Sequence, residues 1–143
     1  MNQRPILLVE DNADDEELTL RSLKQCNLTN EIVVARDGVE ALAMLHGEPS
    51  VNAPRIVPTV VLLDLKLPKL DGLAVLKRIR EHPQTRLLPV VILTSSAEDS
   101  DILATYDLGA NSYVRKPVKM DEFARATAQL GLYWTIVNLT PRM

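Results

Sequence analysis

Asp64 closes the apolar run Val60-Val61-Leu62-Leu63 and opens the stretch Leu65-Lys66-Leu67-Pro68-Lys69-Leu70-Asp71-Gly72. Glu10 and Asp11 close a second apolar run, Ile6-Leu7-Leu8-Val9, in the same way. A buried strand that hands a carboxylate to a Pro/Gly-punctuated loop is how α/β proteins present reactive groups. Carboxylates gathered at one sheet edge disfavour one another's ionisation, so the cluster calls for a cation. An all-oxygen donor set favours a hard ion such as Mg²⁺ over zinc or copper. Two further strand ends supply Thr94 and Ser95, then Lys116 followed by Pro117. An acid pair for a metal, a nucleophilic carboxylate, a hydroxyl and an ammonium are the parts of phosphoryl transfer. Aspartate serves as the acceptor by forming an acyl phosphate.

The elements that must position these groups alternate along the chain. Short β-branched apolar runs at 6–9, 32–35, 60–63 and 90–93, with a weaker one at 112–114, predict strands. Between them lie helically spaced stripes: Leu20 and Leu23; Ala41, Leu42 and Leu45; Val75, Leu76 and Ile79; Ile102, Leu103 and Tyr106. A last stripe, Phe123, Ala126, Thr127 and Leu130, follows Pro117. Five strands, each followed by a helix, predict an α/β fold with a doubly wound parallel sheet covered on both faces. Residues 48–58 carry Pro49, Pro54 and Pro58 with no helical period and read as a long loop.

The bulk properties narrow the classes. A length of 143 residues is one domain with a real core: about 5–130, with a C-terminal extension at 131–143. A formal net charge of −3 and no dense Lys/Arg cluster argue against nucleic-acid binding. No apolar run is long enough for a membrane span, and the start lacks a signal-peptide pattern. The single Cys26 excludes an intrachain disulfide, in keeping with a cytoplasmic protein. His46 and His82 sit at helix ends beside turn residues and are not read as phosphohistidines.

In joint order and spacing, these residues resemble a CheY-type receiver domain of two-component response regulators, from about residue 5 to 130. The segments Asp37-Gly38-Val39-Glu40-Ala41-Leu42 and Gly109-Ala110-Asn111-Ser112-Tyr113 add to the likeness. The resemblance implies a flavodoxin/CheY-like (βα)5 fold. It also implies that Asp64 is the phosphoacceptor and Asp11 the metal-binding acid, with Glu10 as its acidic neighbour. The backbone carbonyl of Lys66 would complete the Mg²⁺ ligands. Thr94 becomes the switch hydroxyl, Lys116 the phosphate-pairing cation, Tyr113 the aromatic switch and Pro117 a cis proline. Glu10 stands where the family more often has Asp, and Leu67 where Met is frequent. Lys66 and Ser96 flank the acceptor, at positions that tune phosphate loss in the family.

The implied activity is that of a phosphoacceptor serving a sensor histidine kinase, not of an enzyme acting on other molecules. A phosphoryl group adds about −1.5 to −2 charge, which would draw Thr94 and Lys116 inward and let Tyr113 follow. The tail, the proline-bearing loop and the Asp-Leu-Lys-Leu-Pro segment are similar to stand-alone receivers that partner phytochrome-type photoreceptor kinases.

With no effector domain in the sequence, the expected output is a protein contact. The aromatics Tyr106, Tyr113, Phe123, Tyr133 and Trp134 all lie in the last third. Tyr and Trp each bury about 150–250 Å², so Tyr133, Trp134, Ile136, Val137 and Leu139 need a cover. Either they pack back on their own domain or they form the arm of a homodimer. Two other classes of function compete with this reading, beside a receiver that signals without phosphorylation. A Mg²⁺-dependent phosphohydrolase would want a second Asp two residues after the nucleophile, where this chain has Lys66. A nucleotide or flavin domain would want a glycine cluster, which Gly38, Gly47, Gly72, Gly109 and Gly131 do not form.

Overall fold

Strands that are apolar on every residue must be covered from both sides, and here helices do so. The structure, a computed structural model, describes residues 4–25, 30–47, 55–67, 70–94, 104–116, 119, 121, 122 and 125. The strands are β1 (Ile6–Val9), β2 (Ile32–Ala35), β3 (Val60–Asp64), β4 (Val90–Thr94) and β5 (Ser112–Arg115). They alternate with α1 (Ala13–Gln25), α2 (Gly38–His46) and α3 (Gly72–Glu81), and residues 104–107 add a helical turn before β5. All pairings are parallel and the order is β2-β1-β3-β4-β5. This is the order of the CheY-like doubly wound fold. Three strands run one residue past their apolar runs because Asp64 still pairs with Leu93, and Thr94 with Arg115. Among the described residues no helix is long and apolar enough to cross a membrane.

The strand period of two sorts the core into two layers. Leu7, Val9, Val61, Leu63, Val90 and Ile92 pack with Ala41, Leu45, Val75, Leu76 and Ile79 of α2 and α3. Ile6, Leu8, Val60, Leu62, Val91, Leu93 and Val114 pack on the other face with Leu23 of α1. The helix ends are set locally. Asp37 caps α2 by accepting the Glu40 N–H at 2.7 Å, while Glu40 reaches back to the Arg36 N–H at 2.8 Å, a reciprocal box. Gly47 ends α2 in the left-handed region (φ 74°) and returns its N–H to the Ala43 carbonyl.

Arg80 ties α3 to the strands that follow. Its guanidinium donates to the carbonyls of Gly109, Leu88 and Arg86 and to Asn111 Oδ1, which also accepts the Val90 N–H. Burial lowers the Arg80 pKa, an expense that these acceptors offset.

Candidate functional site

The chain reverses its direction of growth across the sheet between β1 and β3, and the crevice beyond their carboxyl ends is where such sheets bind ligands. Parity then decides which side chains meet there. Ile6 and Leu8, Val60 and Leu62, and Val114 all face the α1 side. Glu10, Asp64 and Lys116 continue those rows in steps of two, so all three emerge on that side.

Two local devices complete the arrangement. Asn12 caps α1, its Oδ1 accepting the Asp15 N–H at 2.9 Å and its carbonyl the Glu16 N–H at 2.9 Å, which brings Asp15 into the first turn above the sheet edge. Gly72 lets the loop after β3 fold back tightly. Its N–H donates to the Leu65 carbonyl at 2.8 Å, and a Cβ there would overlap the Asp64 carbonyl and Leu65 Cα.

The result is a lysine clasped by acids. Lys116 Nζ donates to Glu10 Oε1 at 2.5 Å, Asp64 Oδ2 at 2.9 Å and Asp15 Oδ2 at 3.0 Å. A lysine ammonium has three N–H groups, and all are committed. The Lys116, Glu10 and Asp64 side chains are nearly sealed from solvent, whereas Asp15 is 42% exposed. The remaining oxygens find backbone donors: Glu10 Oε2 accepts from the Asn12 N–H at 3.3 Å, and Asp64 Oδ1 from the Lys66 N–H at 3.2 Å. One carboxylate oxygen each from Glu10, Asp11 and Asp64 lie within 4.8 Å of one another.

Electrostatics follow from the surplus of acids. Burial, reinforced by Asp64, pushes the Glu10 carboxyl up to about 7 in spite of its lysine partner. Burial works against the Lys116 charge too, but its hydrogen bonds to Glu10, Asp64 and Asp15 outweigh it and hold its pKa above the ordinary lysine value. The two shifts point in opposite senses for one ion pair, the lysine more firmly charged and the glutamate less so. Three carboxylates share one ammonium and keep the lysine charged, whereas burial first, and then Asp64, act against the charge on the glutamate. Glu10, Asp11 and Asp64 fit a hard divalent cation, being all-oxygen donors, close together and short of positive charge.

Of the residues singled out from sequence, the fold therefore brings together Glu10, Asp11, Asp64 and Lys116. Lys66 lies two residues past Asp64, exposed. Thr94 ends β4 at the same edge, and its hydroxyl lies outside what is described. Tyr113 is in β5, half-buried against the core layer of α2 and α3, on the opposite face from Lys116. Ser95, Ser96, Pro117, Tyr133, Trp134, Ile136, Val137 and Leu139 lie outside the described residues. Sequence reasoning missed Asp15; the signal was Asn12 with an acid three residues on, the start pattern of a helix next to the site. It also missed that His46 and His82 stack, with ring centroids 3.9 Å apart and planes 11° from parallel.

Comparison with known proteins agrees with this geometry. The response regulator receiver domain pattern matches residues 6–128. Response regulator Rcp1 of Synechocystis sp. is 37% identical over 130 residues, 90% of this chain and 87% of that protein. The structure of the bacteriophytochrome response regulator AtBRR superposes with a TM-score of 0.84 at 52% identity, covering 94% of this chain and 96% of its own. The crystal structure of the Mn²⁺-bound form of response regulator Rcp1 superposes with a TM-score of 0.73 at 34% identity, covering 98% and 99%.

Proposed function

The chain belongs to the response regulator receiver domain family, and on that premise we propose that it accepts a phosphoryl group on Asp64 from a sensor histidine kinase of the phytochrome type. The observation that carries this reading is the Asp64 carboxylate held by Lys116 beside Glu10 and Asp11 at the mouth of the β1–β3 crevice. The phytochrome partner rests on near full-length similarity to AtBRR and Rcp1, and the choice of Mg²⁺ on the acid cluster and on the metal in the Rcp1 structure.

In the transfer, an Asp64 oxygen forms a bond to phosphorus as the P–N bond of the donor phosphohistidine breaks, its electron pair staying on the imidazole. Glu10, Asp11, Asp64 and the Lys66 carbonyl would hold Mg²⁺, which when bound would neutralise charge on the phosphoryl oxygens. Lys116 exchanges its bond to the Asp64 oxygen for one to a phosphoryl oxygen, a fixed donor for developing charge. Asp64 is nearly sealed from solvent, which limits attack by water on the acyl phosphate. The Thr94 hydroxyl and Tyr113 carry the change outward, and residues 131–143 pair two copies of the chain.

A phosphohydrolase is disfavoured because the position two residues after Asp64 is the exposed Lys66. The test is intact-protein mass after incubation with Mg²⁺ and a small acyl-phosphate donor, beside Asp64→Asn. One added phosphoryl group on the parent and none on the variant is the expected outcome. No adduct from that donor or from phytochrome-type kinases sinks the phosphoacceptor reading. Sedimentation as a monomer, with and without the donor, removes the pairing.

A further inference from the structure

Asp15 is the acid at this site that neither the metal cluster nor the acceptor role explains. It is not one of the three carboxylates within 4.8 Å of one another, yet it takes one of the three N–H groups of Lys116. An acid in the first turn of a helix has an ordinary explanation, a favourable interaction with the helix N-terminus. That explanation does not single Asp15 out, because Asp14 and Glu16 share the turn. Glu16 turns away to Arg36 at 3.1 Å, and Asp14 is exposed; Asp15 meets the lysine. Asn12 holds it there through the cap bond.

We propose that Asp15 is a positioning residue that competes for Lys116 and thereby shortens the life of the phosphoryl group on Asp64. The inference rests on the phosphoacceptor reading above. Glu10 and Asp64 hold Lys116 in place from the buried side, so the lysine stays anchored without Asp15. What Asp15 contributes is an anionic acceptor on the solvent side. Once Asp64 is phosphorylated, the ammonium is wanted by the phosphoryl oxygens, and every N–H kept by Asp15 is withheld from them. Its charge also repels the added group of about −1.5 to −2 across the same lysine. Both effects disfavour the phosphorylated state. Glutamate keeps the charge; asparagine keeps the shape and a carbonyl acceptor but gives a weaker, neutral hydrogen bond.

The test compares the parent with Asp15→Asn, Asp15→Glu and Asp14→Asn. Each is phosphorylated with the acyl-phosphate donor in Mg²⁺, the donor is removed, and loss of the phosphoryl group is followed by intact mass. Replacing a charge-assisted bond by a neutral one should lengthen the half-life of Asp15→Asn by about three- to tenfold. Asp15→Glu should return towards the parent. Asp14→Asn, which makes the same change to the helix terminus without touching Lys116, should leave the half-life unaltered while shifting thermal stability similarly. Equal half-lives for the parent and a folded Asp15→Asn, or equal lengthening in Asp14→Asn, overturn the proposal.

A second readout is independent of phosphorylation: hydrogen exchange of the ¹⁵N-labelled Lys116 ammonium. Loss of the third anionic acceptor should speed exchange in Asp15→Asn but not in Asp14→Asn. If the parent takes up no phosphoryl group, the phosphoacceptor reading fails by itself. Unchanged ammonium exchange in Asp15→Asn then overturns the contact on which the present inference stands.

Discussion

Glu10→Gln gives the sharpest test of the site's electrostatics. The glutamate is fully buried, and its folded-state pKa is raised from 4.5 to about 7, first by burial and then by Asp64. Between those two values the folded chain holds a proton that the unfolded chain has released. Unfolding free energy must therefore fall as pH rises through that window. The stabilisation is complete below pH 4.5 and lost once pH passes about 7. At 1.36 kcal/mol per pKa unit the loss is about 3 kcal/mol. Glutamine keeps an oxygen for Lys116 but cannot ionise, so the variant should lack this slope.

The assay is urea unfolding of the parent and Glu10→Gln with metal chelated, at several pH values. The two should be about equally stable near pH 4.5, with the variant ahead by up to about 3 kcal/mol above about pH 8. Other titrating groups are common to both proteins and cancel in the difference. Excess Mg²⁺ should then stabilise the parent, by about 2.7 kcal/mol at a hundredfold excess over Kd, and the variant less. Parallel pH profiles without metal would refute the argument, since they would mean that Glu10 is ionised in the fold throughout.

Three further perturbations test the frame around the site. Arg80→Lys replaces a planar fork by a single ammonium, which cannot reach all of Gly109, Arg86, Leu88 and Asn111 and takes at least one of these bonds away. It should cost about 2–4 kcal/mol in urea unfolding, and a loss under about 1 kcal/mol would contradict the stapling role. Gly72→Ala drives a Cβ into the Asp64 carbonyl and Leu65 Cα, so it should cost about 1–3 kcal/mol and slow acyl-phosphate labelling of Asp64; parent-like labelling would separate the loop from the site. Burial, then His82, Arg55 and Arg78, lower the pKa of His46, so the fold keeps its ring neutral. Its stabilisation is present above pH 6.5 and lost as pH falls through the folded value, so His46→Gln should flatten the acid limb, and titration of His46 at or above 6.5 by NMR would contradict this.

Much of the fold was legible because a sheet buried on both faces leaves little freedom to the sequence. Every residue of β1 and β3 is buried, and all but the terminal Asp64 form continuous apolar runs, legible from where polarity returns. The one-residue extensions at Asp64 and Thr94 were not legible, because ladder pairing there is backbone chemistry that a polar side chain does not interrupt. The stack of His46 on His82 escaped for another reason. Each histidine ends a different helix, and only the packing of α2 beside α3 decides that the rings meet.

The site divides along the same line. Glu10, Asp64 and Lys116 could be placed from sequence because strand ends converge whatever the loops do, and a period of two fixes the side from which each emerges. Asp15 belongs to a helix, where facing depends on the cap that starts the helix and on how it rotates against the sheet. Asn12 settles that rotation through a hydrogen bond to the backbone of Asp15 itself. An acid-rich first turn reads as helix chemistry until one of its members is seen to touch a lysine a hundred residues away. The consequence is physical. Burial and the neighbouring Asp64 oppose ionisation of Glu10, as its raised pKa shows, while the two-layered core needs nothing from these acids. Residues that work against their own neighbourhood in this way mark a binding site, and the proposed cation and phosphoryl group are ligands of the kind these would take.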